Sequence, residues 1–151
     1  MNINTYNSDS TVQQNIGKIM IQVYESETGM SFQIDPRISI GNSTIVPDFY
    51  SEEKKIIGEV YAHIGKPNVG QINKLSRDIL KMILYSNSKD YEVKKVMLVC
   101  DTEIEKYLRE SSSWLSECIR RFNIEVKRIK LSDDQREEIL SAQKRQRMVN
   151  A

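Results

Sequence analysis

The run Lys95–Cys100, KVMLVC, narrows the fold more than any other segment of the chain. A strand with one wet face alternates polar and apolar residues, whereas a short unbroken apolar run is covered on both faces. Helices must supply that cover, and the sequence offers them on either side. Before the run, Pro67 suits the first turn of a helix. Val69, Ile72, Leu75, Ile79, Met82 and Ile83 then make an apolar stripe that predicts a helix to about Tyr85. After the run, Asp101-Thr102 can cap another helix, with a break near Ser111-Ser112-Ser113. Ile124–Leu131 alternates as a strand. Ser132 to about Met148 reads as a C-terminal helix opened by a Ser-Asp-Asp cap.

The first third supplies the rest of the sheet. Asp9, Ser10 or Thr11 can cap a first helix in which Val12, Ile16, Ile19 and Val23 recur at helical spacing, and Gly29 closes it. Residues 1–9, rich in Asn and Ser, are expected to be flexible. Ser31–Ile34 is a weak strand, interrupted by Pro36, and Ile38–Ile40 resumes it before a Gly41-Asn42 turn. Thr44–Phe49 follows, then a charged turn at Ser51–Lys55 and a strand over Ile56–Ile64. These pieces predict a meander of three antiparallel strands. The expected order is α, β, β, β, α, β, α, β, α in a single domain over residues 1–151. That is an α/β protein with a central mixed sheet flanked by helices, and a C-terminal helix–strand–helix extension.

Composition limits the function classes. The net charge of +1 is far from that of a protein that coats nucleic acid. The basic residues Arg120, Arg121, Lys127, Arg128, Lys130, Arg136, Lys144, Arg145 and Arg147 crowd the last third, which could track phosphates or be a solvated surface. Cys100 and Cys118 are too few and too scattered for a disulfide framework, so they are expected as thiols in a reducing compartment. No apolar run approaches the roughly 20 residues that span a bilayer. The polar start is no secretory signal, so the expected location is cytoplasmic with no membrane partner.

Chemistry gathers at one place. Asp48 ends a predicted strand after Pro47, and Glu59 lies within the next, antiparallel one. A short turn between them sets the two carboxylates side by side. Carboxylates that close repel, which raises one pKa unless a cation sits between them, and hard oxygen ligands suit Mg²⁺ or Mn²⁺. Gly58 and Glu59 are also unusual in a strand otherwise built of Ile, Val, Tyr and Ala. Glu59, Tyr61 and His63 share one face by alternation.

The stretch IVPDFYSEEKKIIGEVYAHIG resembles the signature of the PD-(D/E)XK nucleases, which have the restriction-endonuclease-like fold. Pro47-Asp48 stands at the motif's Pro-Asp, Glu59 at its second acid and Val60 at the hydrophobic residue after it. The family's αβββαβ core order matches the elements read for residues 10–100. The resemblance implies a metal-dependent nuclease acting on DNA, with Asp48, Glu59 and the Val60 carbonyl holding Mg²⁺ or Mn²⁺. The family's lysine, two residues after the acid, is replaced by Tyr61. Some relatives carry that lysine on the following helix, where Gln71, Lys74, Asp78 and Lys81 form a polar stripe. Lys74 is the expected catalytic lysine, with Lys66 as second choice. Gln71 is expected to hold a phosphate oxygen or the nucleophile.

Other residues carry weaker expectations. Glu25 is a candidate for an extra acid on the first helix. His63, the single histidine, is a candidate base or a hydrogen-bonded rim residue. Asp78 is expected to pair with Lys74 or Lys81, and Trp114 to anchor a core or an interface. The small chain suggests a homodimer or a subunit of a larger complex. The competing expectation is a catalytically inactive nuclease-like domain that binds nucleic acid or protein.

Overall fold

The computed structural model describes residues 3–150, and side chains from Ser10 to Val149. Five helices enclose a five-stranded mixed sheet: α1 (Ile3–Thr28), α2 (Val69–Asn87), α3 (Thr102–Glu110), α4 (Trp114–Arg121) and α5 (Asp133–Asn150). The sheet is built from β1 (Gln33–Ile34), β4 (Phe49–Ser51), β5 (Ile56–Tyr61), β6 (Lys94–Val99) and β7 (Ile124–Arg128), in the order β1-β4-β5-β6-β7. β1, β4 and β5 run antiparallel, and β6 and β7 continue parallel to β5. β2 (Ile38–Ile40) and β3 (Ser43–Ile45) form a separate hairpin.

Lys95–Cys100 occupies the place its composition demanded. Val96, Met97, Leu98 and Val99 are each fully buried. Met97 and Val99 face α2, α3 and α4, packing with Leu75, Ile79, Ile104 and Leu115. Val96 and Leu98 face the opposite core, where α1 and α5 contribute Ile16, Met20 and Ile139. The result is three layers, with helices on both faces of a central sheet. Among the described residues no helix is long and apolar enough to cross a membrane.

Several boundaries differ from the sequence reading. Asp9–Thr11 lies inside α1 instead of capping it, because the helix begins at Ile3. The predicted strand Thr44–Phe49 is two strands in different sheets, separated by Val46-Pro47-Asp48. Proline lacks the N–H a ladder needs, so Pro47 stands at the break. α2 starts at Val69, not Pro67, because Asn68 caps it and forms a capping box with Gln71. The expected break between the third and fourth helices is present, with Asp101 capping α3 and Ser113 capping α4. Trp114, expected to anchor a core or an interface, is 67% exposed and so anchors no core.

Gly58 explains itself by what crosses it. It sits opposite Phe49 in the β4–β5 ladder, and a Cβ built on it would lie 1.9 Å from Phe49 Cζ. The ring lies across the glycine and packs with Tyr24 and Phe32. Gly58→Ala forces a fully buried ring out of this cluster and is expected to cost about 3 kcal/mol, measurable as a lowered urea midpoint. Full stability of this variant would show that the ring can move freely.

Tyr61 points into the core between the sheet and α2–α4, 3% exposed, and its hydroxyl has no hydrogen-bond partner among the described residues. Burial pushes its ionisation far above the usual phenol range. Tyr61→Phe removes an unpaired buried hydroxyl and is expected to stabilise the fold by about 1 kcal/mol. A destabilised Tyr61→Phe would reveal a partner for that hydroxyl.

Candidate active site

The β4–β5 register pairs Phe49 with Gly58, and one more step sets Asp48 opposite Glu59. No ladder bond is made there; the Val60 amide instead donates to Asp48 Oδ2 at 2.8 Å. A strand residue's N–H and C=O leave on the same side, so the Val60 carbonyl is directed at the same gap. Alternation along β5 turns Glu59 toward α2, the face shared by Ile57 and Tyr61.

Glu59 is 1% exposed. Lys81, reaching down from α2, donates to Glu59 Oε1 at 2.8 Å and to the Val46 carbonyl at 3.2 Å. Asp78 lies 3.5 Å from the same ammonium. Two carboxylates, those of Glu59 and Asp78, therefore share one lysine, and the charge of Asp48 lies close enough to favour its ammonium form. Burial, then the neighbouring charges of Asp48 and Asp78 and a hydrogen bond to Asp48, push Glu59 up to about 9. The Lys81 contact only partly opposes this. Burial also raises Asp78. For Lys81, burial works against the charge, but the hydrogen bond and charge contact with Glu59 prevail and hold it above its ordinary value. Burial thus favours the neutral carboxyl of Glu59, while the Lys81 ammonium at 2.8 Å opposes it.

Asp48 also opens onto solvent. It lines a polar cleft of about 380 Å³ between α1, the end of β1 and the start of α2. Val60 and His63 lie along the same cleft, with Lys18 of α1 and Lys74 of α2. Glu59 does not line it, so Asp48 is the link between the open cleft and the buried Glu59–Lys81 contact.

The expected site residues divide accordingly. Asp48, Glu59 and Val60 come together. Lys74 is exposed and reaches the cleft, but Lys81 is the lysine on Glu59. The sequence places Lys81 in the polar stripe and offers it as a partner for Asp78, a pairing the structure shows, but does not place it on Glu59. Lys74, Asp78 and Lys81 share a helix face, and spacing alone does not say which turn meets β5. Gln71 is drawn into the helix cap: its Oε1 accepts from the Asn68 amide, and its Nε2 lies 3.4 Å from His63 Nδ1. Lys66 is an exposed loop residue. Glu25 accepts a hydrogen bond from the Phe32 amide and fixes the turn after α1.

His63 is a poor base. Burial first, and the Lys74 charge second, pull it down to about 4. Its Nδ1 faces the Gln13 and Gln71 amides, which suits a neutral ring that accepts there. Its loop is tied down by Gln143 of α5, which bonds both the amide and the carbonyl of Ile64. Cys100 and Cys118 are free thiols, and burial pushes Cys100 up to about 12.

No family model, curated protein or solved structure matches this chain.

Much of the basic C-terminal third is committed within the fold. Arg120 and Arg121 pair with Glu117, Lys127 with Glu27, Arg128 with Glu105 and Arg136 with Asp101. Among the described residues, no group of three or more His, Cys, Asp or Glu side chains is arranged to hold a metal. The donor set at the gap is two carboxylates and one backbone carbonyl. All are hard oxygens that leave positions for water, the usual manner of holding Mg²⁺. A carboxyl pushed up by burial and by its acidic neighbours is also a group whose ionised form a divalent cation would favour. The residues present therefore fit such an ion.

Proposed function

We propose that the protein is a metal-dependent nuclease that hydrolyses phosphodiester bonds in DNA. The observation that carries this reading is Glu59, buried opposite Asp48 and bonded to Lys81, with Asp48 opening onto a cleft. The element order supports it as well: a helix, three antiparallel strands, a helix and a parallel strand are the restriction-endonuclease-like core that the Pro47-Asp48…Glu59 resemblance implies.

In this reading Asp48, Glu59 and the Val60 carbonyl hold Mg²⁺ or Mn²⁺. Such an ion, when bound, neutralises charge on the scissile phosphate and lowers the pKa of an attacking water. The chain's own side chains do the rest. Asp48 is fixed by the Val60 amide and presents its carboxylate to the cleft. Lys81 brings to the Glu59 carboxylate the ammonium that Tyr61 cannot supply, and fixes its orientation. We place the enzyme in the cytoplasm, where its two thiols stay reduced. One cleft on a small domain contacts a short stretch of DNA, so a homodimer or a larger complex would extend the contact.

The test is cleavage of plasmid, linear and single-stranded DNA with Mg²⁺ or Mn²⁺. Wild type should cut, and Asp48→Ala and Glu59→Ala should not. A second reading, an inactive domain that binds nucleic acid or protein, draws on Tyr61 at the lysine position and on the depth of Glu59. DNA binding without cleavage under every metal condition would select it.

A further inference from the structure

We propose that Lys18 and Lys74 are a two-sided clamp on the polynucleotide backbone, one on each wall of the cleft that Asp48 lines. This rests on the nuclease reading and names how its substrate is held. Lys18 stands on α1 and Lys74 on α2, both exposed and both lining the cleft, with Asp48 between their walls.

The clamp follows first from which cations are free to bind phosphate. Among the described residues, Lys94 pairs with Glu125 and Lys81 with Glu59 and Asp78. Most of the basic C-terminal tract is paired in the same way. Lys18 and Lys74 make no ion pair with any described residue. Their charge is opposed within the cleft only by Asp35 and Asp48. Lys18 and Lys74 offset these two carboxylates, so the cleft does not repel a phosphodiester chain even without a cation.

The wall of α1 adds room and donors. Ser10, Gln14, Gly17 and Lys18 fall on one helical stripe and all line the cleft. Gly17 sits inside a helix, where glycine costs roughly 1 kcal/mol relative to alanine. Its missing side chain leaves the floor open over Val60, whose Cγ1 lies 3.6 Å from where a Cβ would be. Ser10 and Gln14 offer neutral polar groups for phosphate oxygens beside Lys18.

Salt dependence of binding tests the clamp. The probe is a fluorescein-labelled single-stranded oligonucleotide, followed by anisotropy in EDTA from low to moderate salt. EDTA prevents cleavage. Each neutralised phosphate contributes about 0.7 to the slope of log K against log salt for single strands. Lys18→Ala and Lys74→Ala should each lower the slope by about 0.7, and the double variant by about twice that. Affinity at low salt should fall about tenfold in the double variant. Both residues are exposed, so folding should be unaffected. Lys127→Ala, which removes a lysine held by Glu27, should keep the wild-type slope.

The clamp is overturned if both single variants keep the wild-type slope, or if wild type shows no salt-dependent binding. Cleavage by wild type with unchanged slopes would remove the clamp and leave the nuclease reading. Slopes lowered as expected, with no cleavage under Mg²⁺ or Mn²⁺, would keep the clamp and remove the nuclease reading.

Discussion

Glu59→Gln is expected to abolish cleavage and, at the same time, to stabilise the protein at neutral and higher pH. The folded protein holds the Glu59 proton up to about 9, against an ordinary value of 4.5. Between those values the folded state binds a proton that the unfolded chain has lost, so stability falls as pH rises. At about 1.4 kcal/mol per pKa unit, the cost at neutral pH is on the order of a few kcal/mol and grows toward pH 9. Glutamine has the shape of the protonated acid and can still accept from Lys81, yet it has nothing to ionise. Urea unfolding in EDTA from pH 5 to 9 should show a falling midpoint for wild type and a much flatter line for Glu59→Gln. Mg²⁺ or Mn²⁺ should raise the wild-type midpoint at pH 8 and leave that of Glu59→Gln unchanged. Two parallel pH profiles would mean that Glu59 is ionised in the fold, and the argument for a cation beside it would fail. The exchange of stability for a destabilised functional group is a common one.

The pair itself was legible in the sequence because strand geometry is rigid. Two acids on antiparallel strands joined by a short turn have few ways to avoid each other, and Asp48 meets Glu59 by register alone. The double cover of Lys95–Cys100 was legible for a similar reason: composition dictates burial on both faces. Helix phase was not legible. Lys74 and Lys81 belong to one polar stripe, and choosing between them depends on how α2 is seated over β5. The Asn68 cap and the packing of Leu75, Ile79 and Met82 decide that seating, and neither can be weighed without the facing residues. The Gly41-Asn42 turn of the β2–β3 hairpin was legible, but the hairpin's separation from the main sheet was hidden because its strands read as continuations of β1 and β4. The pairing of the C-terminal arginines was hidden because Glu117, Glu105 and Asp101 meet them only in the folded chain.

Lys81→Met should separate the two lysines by what each one loses. Lys81 touches Glu59 and Asp78 and lies outside the cleft lining, so its loss should leave DNA affinity in EDTA near wild type. Its ammonium compensates the buried acids beside the reacting centre, and removing one such group typically lowers kcat by 10²–10³-fold. Lys74→Ala should do the reverse, weakening binding and raising KM with a smaller effect on kcat. The pH dependence gives an independent check on Lys81. Without that contact Glu59 loses the one neighbour that favours its ionised form, so its pKa rises further and the fall in stability continues to higher pH. Methionine keeps most of the length of the lysine stem, so a loss of activity with an intact fold at pH 6 can be assigned to the missing charge. If Lys74→Ala proved to be the variant that loses kcat while Lys81→Met kept it, the ammonium on Glu59 would be a structural contact and the reacting lysine would be the one in the open cleft.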